Sequence, residues 1–393
     1  MGIEHRVPRV SLREEDLLAE AHKRAGSCEW GTYDFRDALR VLLQCIRNEA
    51  RLSHTGQFLN WRNITRVLTN RLLIEQEKQK RGVPYPESCE QPVFIAGLPR
   101  TGTTLLHNLL IQDPDSHYLR LCDGMYPSPP PHPEKRQHDE RVEKAGQYTT
   151  TMYSLRPELK KVHYIEATSP EECLWLFEHQ FLDPVFAVRM HIPSYNEWLF
   201  QRNHDASYAD YHEMLNSLAL HFPSRRWVLK APRHIFFINS LLKEFPKACI
   251  IWTHRDPAKV IPSMASMSYL YRQWFSKKTD PVGTGQYQLL SFSKGIQWAM
   301  SLRKQADASR FYDLQYQDLM NDPGREVEKI YEYFNIPFSD NMKKSILVWI
   351  QNNPQNKHGR HSYSPEEFGL TSAQIRQEYA SYSERFHIPQ ESD

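Results

Sequence analysis

The 393-residue sequence predicts an α/β fold of three layers, a central parallel sheet flanked by helices, with a helical region ahead of it. Three observations predict this. Pro92–Leu110 passes from an apolar run through Gly97, Pro99 and Gly102 straight into an amphipathic helix. Trp227–Lys230, Cys249–Thr253 and Arg310–Leu314 are short β-rich runs, each followed by a helical pattern, an alternation that builds parallel sheets. Residues 10–81, in contrast, carry only helical periodicity. The expected division is a helical region at 1–88 packed on a main α/β domain at 89–393.

Taken in order, Ser11 followed by Glu14 reads as a capping box before Leu17-Leu18. Tyr33–Leu52 and Trp61–Ile74 continue the helical spacing. The charged tract Glu75–Arg81, Gly82 and Pro84-Tyr-Pro86 read as a connector into the first strand. That strand, its turn and the next helix start form a phosphate cradle, because unpaired N–H groups and the positive end of the helix dipole converge there. Gly97 and Gly102 are spaced like P-loop glycines, so the fold is expected to be P-loop-like. Thr103-Thr104 stand where such a loop carries Lys-Ser/Thr, and the nearest cation, Arg100, comes three positions earlier. A cradle without that lysine suits ATP hydrolysis poorly.

Tyr126–Pro133 is too proline-rich for a helix or inner strand and should cross the surface beside the cleft. Ser169-Pro-Glu-Glu172 reads as the start of a helix through Phe181, with Glu171 and Glu172 as acids of its first turn. Lys230 ends an apolar strand, where a lysine is rarely structural because burial of an unpaired ammonium is costly. His234 stands at the start of a helix over Ile235–Phe245. Arg255 and Ser263, eight residues apart across a strand end and the next helix, can face one anion; Arg255 could equally pair with Asp256.

Composition narrows the function. Forty-nine Lys and Arg against 47 Asp and Glu argue against a dedicated nucleic-acid binder. The six cysteines are scattered, without a Cys-x-x-Cys pair, which points to a reducing compartment. No run reaches the roughly 18 apolar residues of a membrane span, and Met1–Glu15 lacks the apolar block of a signal peptide, so a cytoplasmic protein without stable membrane insertion is expected. The 18 histidines form no metal-ligand motif, and no metal is expected.

Leu98-Pro-Arg-Thr-Gly-Thr-Thr104, Leu229-Lys-Ala-Pro-Arg-His234, the Arg255…Ser263 pair, Tyr316-Gln-Asp-Leu-Met-Asn-Asp-Pro323 and Lys357-His-Gly-Arg360 together resemble the PAPS-dependent sulfotransferases over roughly residues 90–370. The wording is nearer a broad branch best known from bacteria than the animal cytosolic phenol and steroid enzymes. The resemblance implies transfer of a sulfuryl group from 3′-phosphoadenylyl sulfate (PAPS) to a hydroxyl of a small-molecule, lipid or sugar acceptor, leaving PAP. It implies that Arg100, Thr101, Gly102, Thr103 and Thr104 hold the 5′-phosphosulfate, that Arg255 and Ser263 hold the 3′-phosphate, that Tyr316 lies near the adenine, and that Lys357, Gly359 and Arg360 close over the 3′-phosphate. Lys230 would bind the oxygen on which charge grows.

The base remains open at this stage. Cytosolic members carry Lys and His two positions apart, whereas Lys230 and His234 are four apart with Pro232 between. His234, Glu172 or Glu171, and His163 or Glu166 are the candidates. Two other functions compete: a small-molecule kinase, which would need Lys at position 103, and a catalytically inactive nucleotide-binding protein, against which Lys230 and His234 count. The expected partner is an acceptor alcohol or phenol rather than nucleic acid. The N-terminal helices serve as a structural cover, as a wall of the acceptor pocket or as a homodimer contact.

Overall fold

The structure, a computed structural model, describes residues 7–26, 29–89, 91–162, 164–222, 226–354 and 363–392. Helices α1 (Glu14–Ala25), α2 (Arg36–Glu49) and α3 (His54–Arg81) lead into strand β1 (Val93–Gly97) and helix α4 (Thr103–Leu110). Strand β2 (Ser116–Tyr118), α5 (Glu140–Leu155), α6 (Asp205–Leu218), β3 (Arg226–Lys230), β4 (Cys249–His254), α7 (Pro257–Phe275), α8 (Pro281–Arg303) and β5 (Phe311–Gln315) follow, with shorter helices between and after them.

The five strands are parallel in the order β2-β3-β1-β4-β5. Ile95 registers with Lys230 and Gly97 with Thr253. Side chains alternate along a strand, so β1 sends Phe94 and Ala96 into one core and Val93 and Ile95 into the other. The second core is closed by Leu106, Leu109 and Leu110 of α4. The first contains Leu17, Leu39, Leu42 and Leu68, so α1–α3 share one apolar core with a face of the sheet. Such a sheet offers its ligand site at the carboxyl ends of the strands, where the order reverses beside β1.

Three local readings are corrected. Helix α1 starts at Glu14 with Arg13 as N-cap, and Ser11 accepts from Arg13 N instead of capping the first turn. The tract read as a connector is the last two turns of α3, which run to Arg81 and end on Gly82 at φ 69°. Lys78 on Glu213 (2.6 Å) and on buried Glu75 (3.1 Å) makes those polar turns part of the packing. Ser169–Glu172 does not begin a helix. Leu121 N donates to Ser169 O (3.1 Å), Glu171 N to Leu119 O (2.8 Å) and Cys173 N to Lys230 O (2.9 Å). These bonds hold the segment extended across the sheet end, and helix forms only over Leu174–Phe177.

Burial pushes His107 and His204 down to about 3 and holds His179 and His234 well below the usual histidine range. These rings stay neutral in the fold but take up protons in the unfolded chain below about pH 6.5. Stability therefore falls as pH drops through that value, by about 1.4 kcal/mol per pH unit for each such ring. His212, raised because Glu244 and Glu87 outweigh its burial, and Asp183, raised by burial to about 6, act in the opposite sense. His191, His221 and His254 are also lowered by burial, and seven groups against two leave a net loss: urea midpoints should be lower at pH 5.5 than at pH 7.5, and an equal or higher midpoint at pH 5.5 would contradict the buried neutral rings.

Candidate active site

The carboxyl edge of the sheet gathers the groups of interest because each stands at or just past a strand end. The loop Leu98–Gly102 follows β1, Lys230 ends β3, Arg255 follows β4 and Tyr316 follows β5. The loop is tight. A Cβ on Gly97, whose φ is 136°, would lie 2.6 Å from Thr253 O, so only glycine lets β1 turn beside β4. Arg100 adopts φ 69° and Gly102 φ 85°, two left-handed positions that turn the chain into α4. The first N–H groups of that helix have no intrahelical acceptors, which suits an anion.

Thr101 is fully buried: its hydroxyl donates to Leu98 O (2.6 Å) and pairs with Thr253 Oγ1 (2.6 Å). Its side chain fastens the loop to β4, which leaves its backbone as the part facing a ligand. Gly102 backs onto Tyr316, since a Cβ there would lie 3.1 Å from Tyr316 Cδ2. Thr103 is buried and Thr104 is exposed on the first turn of α4.

Arg255 spans this edge. Its guanidinium stacks on Tyr316 at 3.9 Å from the ring centroid, and Nη1 donates to Arg100 O (3.1 Å). Nε and Nη2 donate to the two carboxylate oxygens of Glu391 at 2.8 and 2.9 Å, a bidentate pair. Glu391 is fixed in turn, its N–H donating to Asp256 (2.9 Å) and its carbonyl accepting from Arg376 (2.8 Å). Asp256 does not pair with Arg255; it caps α7 through Ala258 N and binds Arg376. Ser263 is buried on α7. Lys357, Gly359 and Arg360 lie outside the described residues, as does His163.

Lys230 is 1% exposed, and its Nζ meets Glu172 Oε1 at 3.2 Å. Burial opposes its charge, but Glu172 and then Glu171 outweigh it and hold the ammonium above the usual lysine range. The same ammonium, after burial, keeps neighbouring His107 neutral. Glu171 Oε2 accepts from Glu172 N (3.0 Å) and Trp175 Nε1 (3.2 Å), so it braces the turn that presents Glu172.

His234 is elsewhere. It lies in a 3₁₀ turn, Pro232–Phe237, ahead of a helix over Ile238–Glu244, instead of in the single helix expected. Its ring sits in the core edge-on to Phe94 at 4.9 Å, with Nδ1 hydrogen-bonded to Tyr208 (2.9 Å). Nε2 is buried with no hydrogen-bond partner among the described residues, and burial followed by Arg233 disfavours protonation. The Pro232 turn directs the chain into the first core and away from the strand end. Glu166, the remaining candidate, is held by Tyr164 and Ser169 in an exposed turn. Sequence reasoning missed Thr253, Glu391 and His107, whose roles depend on partners 121–152 positions away. Among the described residues no cluster of metal-binding side chains occurs, and no helix is long and apolar enough to cross a membrane.

The sequence profile described as "Sulfotransferase family" matches residues 92–340. The omega-hydroxy-beta-dihydromenaquinone-9 sulfotransferases Stf3 of Mycobacterium bovis and Mycobacterium tuberculosis are each 28% identical over 257 residues, and the chain spans 63% of the length of these curated relatives. The crystal structure of sulfotransferase STF1 from M. tuberculosis is 29% identical with a TM-score of 0.85, covering 96% of this chain and 100% of that one. Sulfotransferase STF9 from Mycobacterium avium, 24% identical, shares the fold with a TM-score of 0.86 over 98% of this chain and 99% of its own. The profile spans more than half of the sequence, and it covers β1 to β5 together with the loop and the buried lysine; this chain belongs to the sulfotransferase family.

Proposed function

We propose that the protein transfers a sulfuryl group from PAPS to a hydroxyl, and that Lys230 and Glu172 form its chemical centre. The observation that carries this reading is the 3.2 Å contact between a buried ammonium and a partly accessible carboxylate at the strand end beside the phosphate loop. The groups present fit the donor. The loop and the α4 terminus suit a 5′-phosphosulfate, the Arg255 guanidinium suits a phosphate, and the Tyr316 ring suits a base edge. When bound, PAPS supplies a sulfuryl group on a phosphate leaving group.

Lys230 keeps its proton and donates to the oxygen that gains charge as the S–O bond to phosphate breaks, an interaction strongest in the transition state. Glu172 accepts the proton of the acceptor hydroxyl as its oxygen bonds to sulfur. Arg100 and the first turn of α4 neutralise the departing anion. Thr103, Thr104, Ser263, Lys357, Gly359 and Arg360 remain proposed donor contacts. The Stf3 relatives, named for an omega-hydroxy-beta-dihydromenaquinone-9, support a hydroxyl as acceptor. A kinase reading lacks the loop lysine, since position 103 is Thr.

A 3′-phosphate at Arg255 must displace Glu391, because both need the same two N–H groups. Arg255→Ala removes charge-assisted hydrogen bonds of about 1.5–3 kcal/mol, so PAP affinity measured by calorimetry should drop roughly tenfold or more. Glu391→Gln should tighten PAP. Unchanged affinity in Arg255→Ala overturns the phosphate assignment, and weaker binding in Glu391→Gln would make that carboxylate a support for the guanidinium.

For the base, Glu172→Gln should retain PAP binding and lose about 10²–10⁴-fold in PAPS-dependent turnover. His234→Asn should lower the melting temperature while leaving turnover per folded molecule within a few-fold. The reverse pattern, an active Glu172→Gln and a dead but folded His234→Asn, would return the base to histidine.

A further inference from the structure

A cavity of about 910 Å³ opens between α3, the proline-rich segment Tyr126–His132, α5 and the carboxyl-terminal end of α7. None of the residues assigned to the donor or to Lys230 and Glu172 lines it. We propose that this cavity is the acceptor pocket and that it takes an elongated, mostly apolar alcohol or phenol, its hydroxyl directed at Glu172 and its tail running between α3 and α5. The inference rests on the sulfuryl-transfer reading and adds to it the class of acceptor.

Size comes first. Small-molecule pockets range over about 300–1,000 Å³, so this one stands near the upper end and is far larger than a simple phenol needs. Part of the wall is apolar. Leu73 of α3, Met125, Tyr148 of α5, Met190, Tyr271 and Trp274 all face it. Three of the cations in the wall are already engaged. Arg66 donates to Met125 O (2.7 Å), Asn63 (2.8 Å) and Glu178 (2.8 Å), and Arg189 pairs with the other oxygen of Glu178. Arg141 is held by Asp139 (2.6 Å) and Asp123 (3.2 Å). A strongly anionic or sugar-like ligand seated on these three would have to break those bonds, whereas an apolar body leaves them intact.

Two lines connect the cavity to the chemical centre. Tyr148 meets Trp175 edge-on at 6.0 Å, and Trp175 Nε1 donates to Glu171, whose carboxylate braces Glu172. Tyr271, half-buried in the wall, has its hydroxyl titration raised by burial, then by Tyr148 and Glu171. Helix α7 also carries Ser263 at the donor end and Tyr271 in the cavity wall. Eight residues separate them, about 12 Å along the axis at 1.5 Å per residue, a span compatible with donor and acceptor sharing one cleft.

The test is binding of 4-ethylphenol and 4-octylphenol by calorimetry in the presence of PAP, to wild type, Leu73→Trp and Thr69→Trp, two variants that fill the cavity from α3. Wild type should bind the octyl compound at least tenfold more tightly than the ethyl compound. In either variant that preference should shrink to threefold or less, with PAP binding, which reports folding and the donor site, within twofold of wild type. No chain-length preference in wild type, or a preference that survives whichever tryptophan variant folds, overturns the proposal. Failure of PAP itself to bind wild type is a different result and overturns the donor reading instead.

Discussion

The ammonium of Lys230 is the constraint on which the site depends. A charge buried at the end of an inner strand is tolerated only with a partner, and removing one member of such a pair costs about 3–5 kcal/mol. The partner, Glu172, comes from an irregular segment and reaches the ammonium because Glu171 N and Cys173 N are tied to Leu119 O and Lys230 O. That tie explains why Ser169–Glu172 is extended although its sequence has a helix-start pattern. Burial, and then the charge of Lys230 itself, keep His107 behind it neutral.

The neighbouring phosphate loop is built by a different means, close backbone approach. Gly97 against Thr253 and Thr101 on Thr253 Oγ1 bind the turn to β4, and Gly102 on Tyr316 binds it towards β5. A rigid loop braced by two strands can present N–H groups without reorganising, which is what electrostatic stabilisation of a leaving anion requires. Arg255 by contrast is already occupied, because its guanidinium holds a carboxylate from the far end of the chain.

What could be read from the sequence was whatever is encoded locally. The apolar run, glycine spacing and helix start of residues 92–110 lie within one βα unit, so both the fold class and the cradle were visible in it. Lys230 stood out because a lysine ending an apolar run demands an explanation. Its pairing with Glu172 did not, because Glu172 is 58 positions earlier and helical periodicity gave no sign of an extended path. The last turns of α3 looked like a connector for the same reason: Lys78 finds Glu213 only after α6 packs against it. His234, near the lysine in sequence, is carried into the core by the Pro232 turn, and Glu391 gave no local signal.

The most direct measurement on the central claim separates binding from chemistry at Lys230. Lys230→Met keeps the length and volume of the side chain and removes the charge. PAP affinity by calorimetry should stay within a few-fold of wild type, while PAPS-dependent sulfation of a phenol falls by about 10²–10³-fold. Parallel losses of affinity and turnover would make Lys230 an ordinary binding residue, and a turnover close to wild type would remove the buried ammonium from the chemistry altogether.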